Sequence, residues 1–103
     1  MSIPTNAQLF AALGNEKRMQ IVIWLHDPLA HFPTQIDGDL VDDGVCAGAI
    51  VNKLQVSQPT VASHMKILLN AELVRTKRIK QWTFYKLNPD VLRQARNVIA
   101  ALV

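Results

Sequence analysis

The run Val56-Ser57-Gln58-Pro59-Thr60-Val61-Ala62-Ser63-His64-Met65-Lys66-Ile67-Leu68-Leu69 admits few folds. Placed on a helix, at about 100° per residue, Val61, Met65 and Leu68 share one side and Thr60, Ser63, His64 and Ile67 the other. Ser57 can cap the helix start, and Pro59 falls in the first turn, where backbone N–H groups lack helical partners. The outward residues are compact and mostly hydrogen-bonding. A helix that lies in a DNA major groove needs that chemistry.

The flanking segments supply a scaffold for such a helix. Thr5-Asn6-Ala7-Gln8 is a capping box and predicts a helix to Leu13, ended by Gly14, with Leu9, Phe10 and Leu13 as its apolar stripe. Asn15 can cap a second helix, Glu16 to His26, stopped by Pro28. Its Met19, Ile21, Val22, Ile23, Trp24 and Leu25 are apolar nearly all round, which predicts a central, buried helix. Asp43 can cap a third helix, roughly Val45 to Leu54, and Val56 then turns the chain into the polar-faced helix. That succession is a helix-turn-helix.

Residues 72–78 and 81–87 are rich in β-branched and aromatic types. They predict a hairpin about Ile79-Lys80 with a basic tip of Lys77, Arg78 and Lys80. Alternation predicts that Trp82 or Phe84 packs inward. Asn88 can cap a last helix with Pro89 at its first position and a stripe of Val91, Ala95, Val98, Ile99 and Leu102. The expected fold is mainly α with a small β-hairpin, a winged helix-turn-helix in the order α-α-α-α-β-β-α. Residues 27–43 interrupt it. Pro28, Pro33, Gly38 and four Asp between 37 and 43 predict a loop or irregular excursion, long enough to carry function.

A chain of 103 residues suits a single domain, 1–103. No run of 18 apolar residues is present, so no membrane partner is expected. Met1-Ser2-Ile3-Pro4 shows no basic region leading into an apolar run, so no secretory signal is expected. Cys46 stands alone, which excludes an internal disulfide framework. These features together suit the cytoplasm.

Charge is unevenly distributed. Five of the eight acids (Asp27, Asp37, Asp39, Asp42, Asp43) lie between residues 27 and 43. From Gly44 to Asn88 there are seven basic residues against one acid, Glu72, a balance of +6. Such a half suits a polyanion, although a solvated surface would show the same composition.

Three stretches, in order and at this spacing, resemble the ArsR/SmtB family of bacterial repressors. Leu9-Phe10-Ala11-Ala12-Leu13-Gly14-Asn15-Glu16-Lys17-Arg18-Met19-Gln20-Ile21-Val22 looks like the family's opening, residues 57–68 its recognition helix, and Ala71-Glu72-Leu73-Val74 with Arg78 and Tyr85 its wing. The resemblance covers nearly the whole chain except residues 27–43. It implies a homodimer that binds operator DNA and releases it when an effector arrives. It also implies a departure. Metal sensors of the family carry two cysteines, one residue apart, at the start of the third helix. Here Cys46 matches the first, but Gly48 replaces the second and Ala49 the following acid. The other common site uses Asp, His and Glu on the last helix, and residues 91–103 contain none of these. Neither motif can hold a metal as it stands, and no cofactor is expected.

The candidate residues sort by role. Ser57, Gln58, Thr60, Ser63 and His64 would approach base edges or nearby phosphates, with the Gln58 amide suited to adenine. Lys66, Lys77, Arg78 and Lys80 would hold the backbone. Leu9, Phe10, Leu13, Val91, Ala95, Val98, Ile99 and Leu102 would form a dimer seam. Cys46, on a stripe with Ile50 and Leu54, reads as a small core hydrophobe rather than a redox sensor. His26, His31 and the aspartates of the excursion read as a solvated acidic loop rather than an oxygen/imidazole metal site. His64 has no partner spaced for catalysis, and no nucleophile–base set is present, so no enzyme is expected. The leading function is a dimeric DNA-binding repressor that reads double-stranded DNA. The alternative is a winged-helix protein-interaction module, whose recognition face should be apolar or acidic. The effector stays open between a small molecule, a redox signal and none.

Overall fold

The computed structural model describes residues 3–103, so Met1 and Ser2 of the N-terminal reading lie outside it. Helix α1 (Asn6–Leu13) opens on the capping box: the Thr5 hydroxyl accepts from Gln8 N–H at 3.1 Å, and Gln8 Oε1 accepts from Thr5 N–H at 2.8 Å. Helix α2 (Glu16–His26) starts at Asn15, whose Oδ1 accepts from the N–H groups of Lys17 and Arg18. Both helices have the predicted bounds. The burial of α2 differs from the prediction. Ile21, Val22 and Leu25 are in the core, whereas Met19 and Ile23 are exposed. In this small domain only one side of α2 meets other elements.

Pro28 does not merely end α2. It begins a single turn of helix, α3 (Pro28–His31), at the first position, where its missing N–H costs nothing. The predicted third helix also starts later. Val45 and Cys46 form a short strand, β1, and α4 runs Ala47–Leu54. Asp43 therefore caps no helix. Helix α5 (Gln58–Asn70) follows after Gln55, which takes a left-handed turn at φ 57°. Strands β2 (Val74–Ile79) and β3 (Trp82–Leu87) form the wing, with the turn at Lys80-Gln81, one residue later than predicted. Helix α6 (Pro89–Ala100) closes the chain. Asn88 does not cap it. Its amide instead donates to Glu72 O at 2.9 Å and ties the exit of the wing to its entrance.

The observed order thus adds α3 and β1 to the expected one. The sheet is antiparallel, ordered β1-β3-β2, with Val45 opposite Tyr85 and Cys46 opposite Phe84. Its two faces meet different layers. Val45, Val74, Tyr85 and Leu87 belong to or pack on the main core of Leu9, Ile21, Leu25, Ile50, Val61, Met65 and Leu68. Cys46, Lys77, Phe84 and Lys86 point the other way, because strand neighbours alternate and cross-strand partners share a face. The excursion covers that outer face. Phe84 is 1% exposed, and Gly38 lies so close that a Cβ there would stand 2.8 Å from its ring. Gly44, at φ +104°, passes so near Tyr85 O that a Cβ would be 2.3 Å away.

Cys46 is consequently half-buried beneath the excursion and outside the core, a correction to its helical stripe with Ile50 and Leu54. The Gln35 side chain donates to Gly44 O at 3.0 Å and accepts from Cys46 N–H at 2.7 Å. Phe32 stacks edge-on against Trp24 with ring centres 6.2 Å apart, and Lys53 Nζ lies 5.1 Å from the Trp24 ring centre. The excursion is therefore a packed layer of the fold.

Candidate nucleic-acid interface

Helix α5 buries the predicted face: Val61, Met65 and Leu68 are at most 2% exposed. The opposite side carries Thr60, Ser63, Lys66 and Ile67, all exposed, and also Asn70, which the sequence reading stopped short of. Gln58 is exposed at the helix start. Among the described residues, three outward side chains at this helix are hydrogen-bonded. Ser57 caps the helix at Thr60 N–H, and its hydroxyl lies 2.8 Å from that of Thr60, so these two groups are partly engaged with each other.

The third is His64, half-buried against α2. Arg18 Nη1 donates to its Nδ1 at 3.2 Å. Arginine only donates, so Nδ1 accepts and the ring proton sits on Nε2, available to an outside acceptor. Burial lowers the His64 pKa below its ordinary 6.5, and the charges of Arg18 and Lys17 lower it further. The ring is thus neutral at neutral pH. Arg18 also donates to Ala12 O at 2.7 Å and Ala11 O at 3.3 Å, satisfying carbonyls at the end of α1. It links α1, α2 and α5 in one network. Sequence pattern could not show that role, because residue 64 is distant along the chain.

The wing separates its cations. Lys77 and Lys80 form ion pairs with Asp43 and Asp37 of the excursion, the second at 2.9 Å. Lys86 Nζ donates to Asp42 O at 3.3 Å. The hydrogen bond from Lys77 holds the Asp43 carboxyl below the usual carboxylate range, helped by Asp39 N–H. Asp39 Oδ1 in turn accepts from the N–H groups of Val41 and Asp42. Of the aspartates read as a solvated loop, Asp37 and Asp43 are wing partners and Asp39 is a turn former, while Asp27 and Asp42 are exposed. Arg75 and Arg78 are exposed and in no ion pair among the described residues.

The expected seam residues are likewise divided. Leu9, Val91 and Ala95 are buried within the protomer, with 0%, 9% and 5% of their surface exposed. Phe10, Leu13 and Val98 are half-buried, while Ile99 and Leu102 are 52% and 83% exposed. Helices α1 and α6 pack together, and Gln94 of α6 donates to Pro4 O beside α1.

A polar helix backed by a helix-turn-helix and flanked by a hairpin is the architecture of a winged helix-turn-helix regulator. Residues 43–76, which span that motif, match the family model described as a bacterial regulatory protein of the arsR family. The HTH-type transcriptional regulator YbzH of Bacillus subtilis is 38% identical over 85 residues, covering 82% of this chain and 85% of that one. The chain belongs to the ArsR family. It is a DNA-binding transcriptional regulator. HlyU from Vibrio cholerae superposes with a TM-score of 0.63 at 25% identity, covering 89% of this chain and 85% of HlyU. The homodimeric winged helix-turn-helix DNA-binding domain Mb0332 from Mycobacterium bovis superposes with a TM-score of 0.64 at 22% identity, covering 93% and 76%. Among the described residues no helix is long and apolar enough to cross a membrane.

Proposed function

We propose that this ArsR-family protein is a homodimeric repressor, a single domain over residues 1–103, that reads an inverted-repeat operator. The observation that carries the reading is the exposed polar side of α5, with Ser63 and Lys66 directed away from a fully buried apolar side and Gln58 exposed at the helix start. Gln58, Thr60, Ser63 and the His64 Nε2–H would meet base edges, with Ser57 beside the nearest phosphate. Lys66 and Arg78 would hold phosphates, joined by Lys77 and Lys80 when these leave their acidic partners. The exposed Ile99 and Leu102, with half-buried Phe10, Leu13 and Val98, would form the seam between two copies. The homodimeric state of Mb0332, which shares the fold, supports a pair of copies. The reading assigns no catalytic residue, no cofactor and no metal, and it places the protein with its DNA in the cytoplasm. A small-molecule or redox effector would act by changing operator affinity.

Sequencing of the genomic DNA that the protein retains gives the operator. The expected result is a pair of inverted half-sites about 10 base pairs apart, centre to centre, bound by a dimer in sedimentation. Retention of unrelated sequences with no shared motif, or a monomer on DNA, would overturn the reading. Zinc, cadmium and arsenite titrated into the preformed complex should leave affinity unchanged. Stoichiometric, chelator-reversible release would mean that a metal site exists.

A further inference from the structure

We infer that the acidic excursion is a built-in competitor for the wing: Asp37 and Asp43 occupy Lys80 and Lys77 as an intramolecular stand-in for DNA phosphate. The inference rests on the DNA-binding reading above and adds a control on the same surface. Three observations carry it. First, two of the three cations at the wing tip, and Lys86 lower on the same face, contact the excursion. Second, the contacts are held in register. Gly38 lies against the Phe84 ring and Gly44 against the Tyr85 carbonyl, so the segment that bears the aspartates is fixed on the outer face of the sheet. Third, the carboxylates are prepared. Asp43 Oδ2 accepts from Asp39 N–H at 2.7 Å while its other oxygen takes Lys77, so one aspartate both shapes the loop and engages the wing.

The chemistry matches what it displaces. A carboxylate offers the lysine ammonium an anionic oxygen, as a phosphate does. A lysine that stays paired with aspartate therefore releases no counterion from DNA, and one that must first leave its aspartate adds less to phosphate affinity than a free one. The pairs are exposed on the lysine side, and exposed ion pairs hold weakly. The dense phosphates of a fully docked duplex can replace them, whereas a loose encounter gains less. Because phosphate contacts are the same at every sequence, weakening them lowers sequence-independent binding and leaves a larger share of the affinity to α5. Arg78 escapes this control, since it lies on the other face of its strand from Lys77.

The test uses the full chain and a mixed-sequence duplex long enough for two half-sites, with affinity measured against KCl concentration. Asp37→Asn with Asp43→Asn should tighten binding roughly three- to tenfold at low salt and steepen the log–log slope by one to two units, about 0.9 per phosphate gained. Asp37→Asn alone, whose carboxylate makes no bond within the excursion among the described residues, should give about half the slope change. Asp42→Asn removes the same charge from the same segment but breaks neither ion pair, so its slope should stay at the wild-type value. In a Lys77→Ala, Lys80→Ala background the aspartate substitutions should have no effect on slope. An unchanged slope in the double variant, or weaker binding, would overturn the inference: the lysines would then either miss DNA or need the aspartates to place them. Absence of duplex binding by the wild type and every variant would overturn the DNA-binding reading as well.

Discussion

The outer side of α5 and the tip of the wing are both polar surfaces, yet they are prepared differently. On α5, Gln58, Ser63 and Lys66 stand exposed on a helix anchored by Val61, Met65 and Leu68. On the wing, Lys77 and Lys80 already have anionic partners. A count of basic residues treats the two surfaces alike. The structure shows that position decides which charges are engaged: Lys77 stands on the strand face that meets the excursion and Lys80 in the turn reaches Asp37, whereas Arg78 stands on the opposite face.

The largest expected effect tests whether the excursion is packed at all. Phe84→Ala should cost about 3–5 kcal/mol, measured by urea denaturation, because it empties the space between the outer face and Gly38. A cost under ~1 kcal/mol would mean that the excursion seals nothing, and the contrast between the two surfaces would fail. Gly44→Ala should cost about 2–3 kcal/mol, since the residue has a positive φ and its Cβ would meet a backbone carbonyl.

The contrast sharpens in DNA binding. Gln58→Ala or Ser63→Ala should remove roughly 1–3 kcal/mol of preference at particular base positions. Arg78→Ala should weaken cognate and scrambled duplexes alike and flatten the salt dependence by about one unit. Lys77→Ala should do the same more weakly, because that cation is already paired. Equal slopes for the two wing variants would break the comparison.

Much of this was legible in the sequence. The bounds of α1 and α2, the buried side of α5 and the hairpin follow from local signals: capping residues, a period near 3.6 and β-branched strands. The excursion was not legible. Its aspartates match lysines more than 30 residues away, and no local pattern encodes such pairing. The strand at Val45–Cys46 is too short for alternation to register, and it exists because β3 has an edge to offer. The burial of Leu9, Val91 and Ala95 was legible as apolar stripes, which report burial without saying what buries it. His64 was placed on the correct helix, but its Arg18 partner depends on how α2 crosses α5.

The smallest effect concerns that pair. Because the folded His64 pKa lies below 6.5, the folded state favours the neutral ring. Its contribution is complete above 6.5 and is lost as pH falls from there through the folded pKa. The melting temperature should therefore drop as pH falls below 6.5, and His64→Gln, whose amide oxygen can accept the same Arg18 bond, should reduce the drop. An identical pH profile for the two proteins would show that His64 carries no such linkage.

The bonds made by Gln35 have a consequence for how copies of this protein avoid one another. Gly44 O and Cys46 N–H are the groups that an edge strand would offer to a strand from another molecule, and one side-chain amide satisfies both. Gln35 therefore acts as a single peptide unit of a fourth strand and ends the sheet. On the opposite edge, β2 carries Arg75 and Lys77, charges that discourage strand addition. Both borders of the sheet thus resist edge-to-edge growth, so a crowded solution of this regulator has little route to aggregation through its wing. Gln35→Ala would reopen one border.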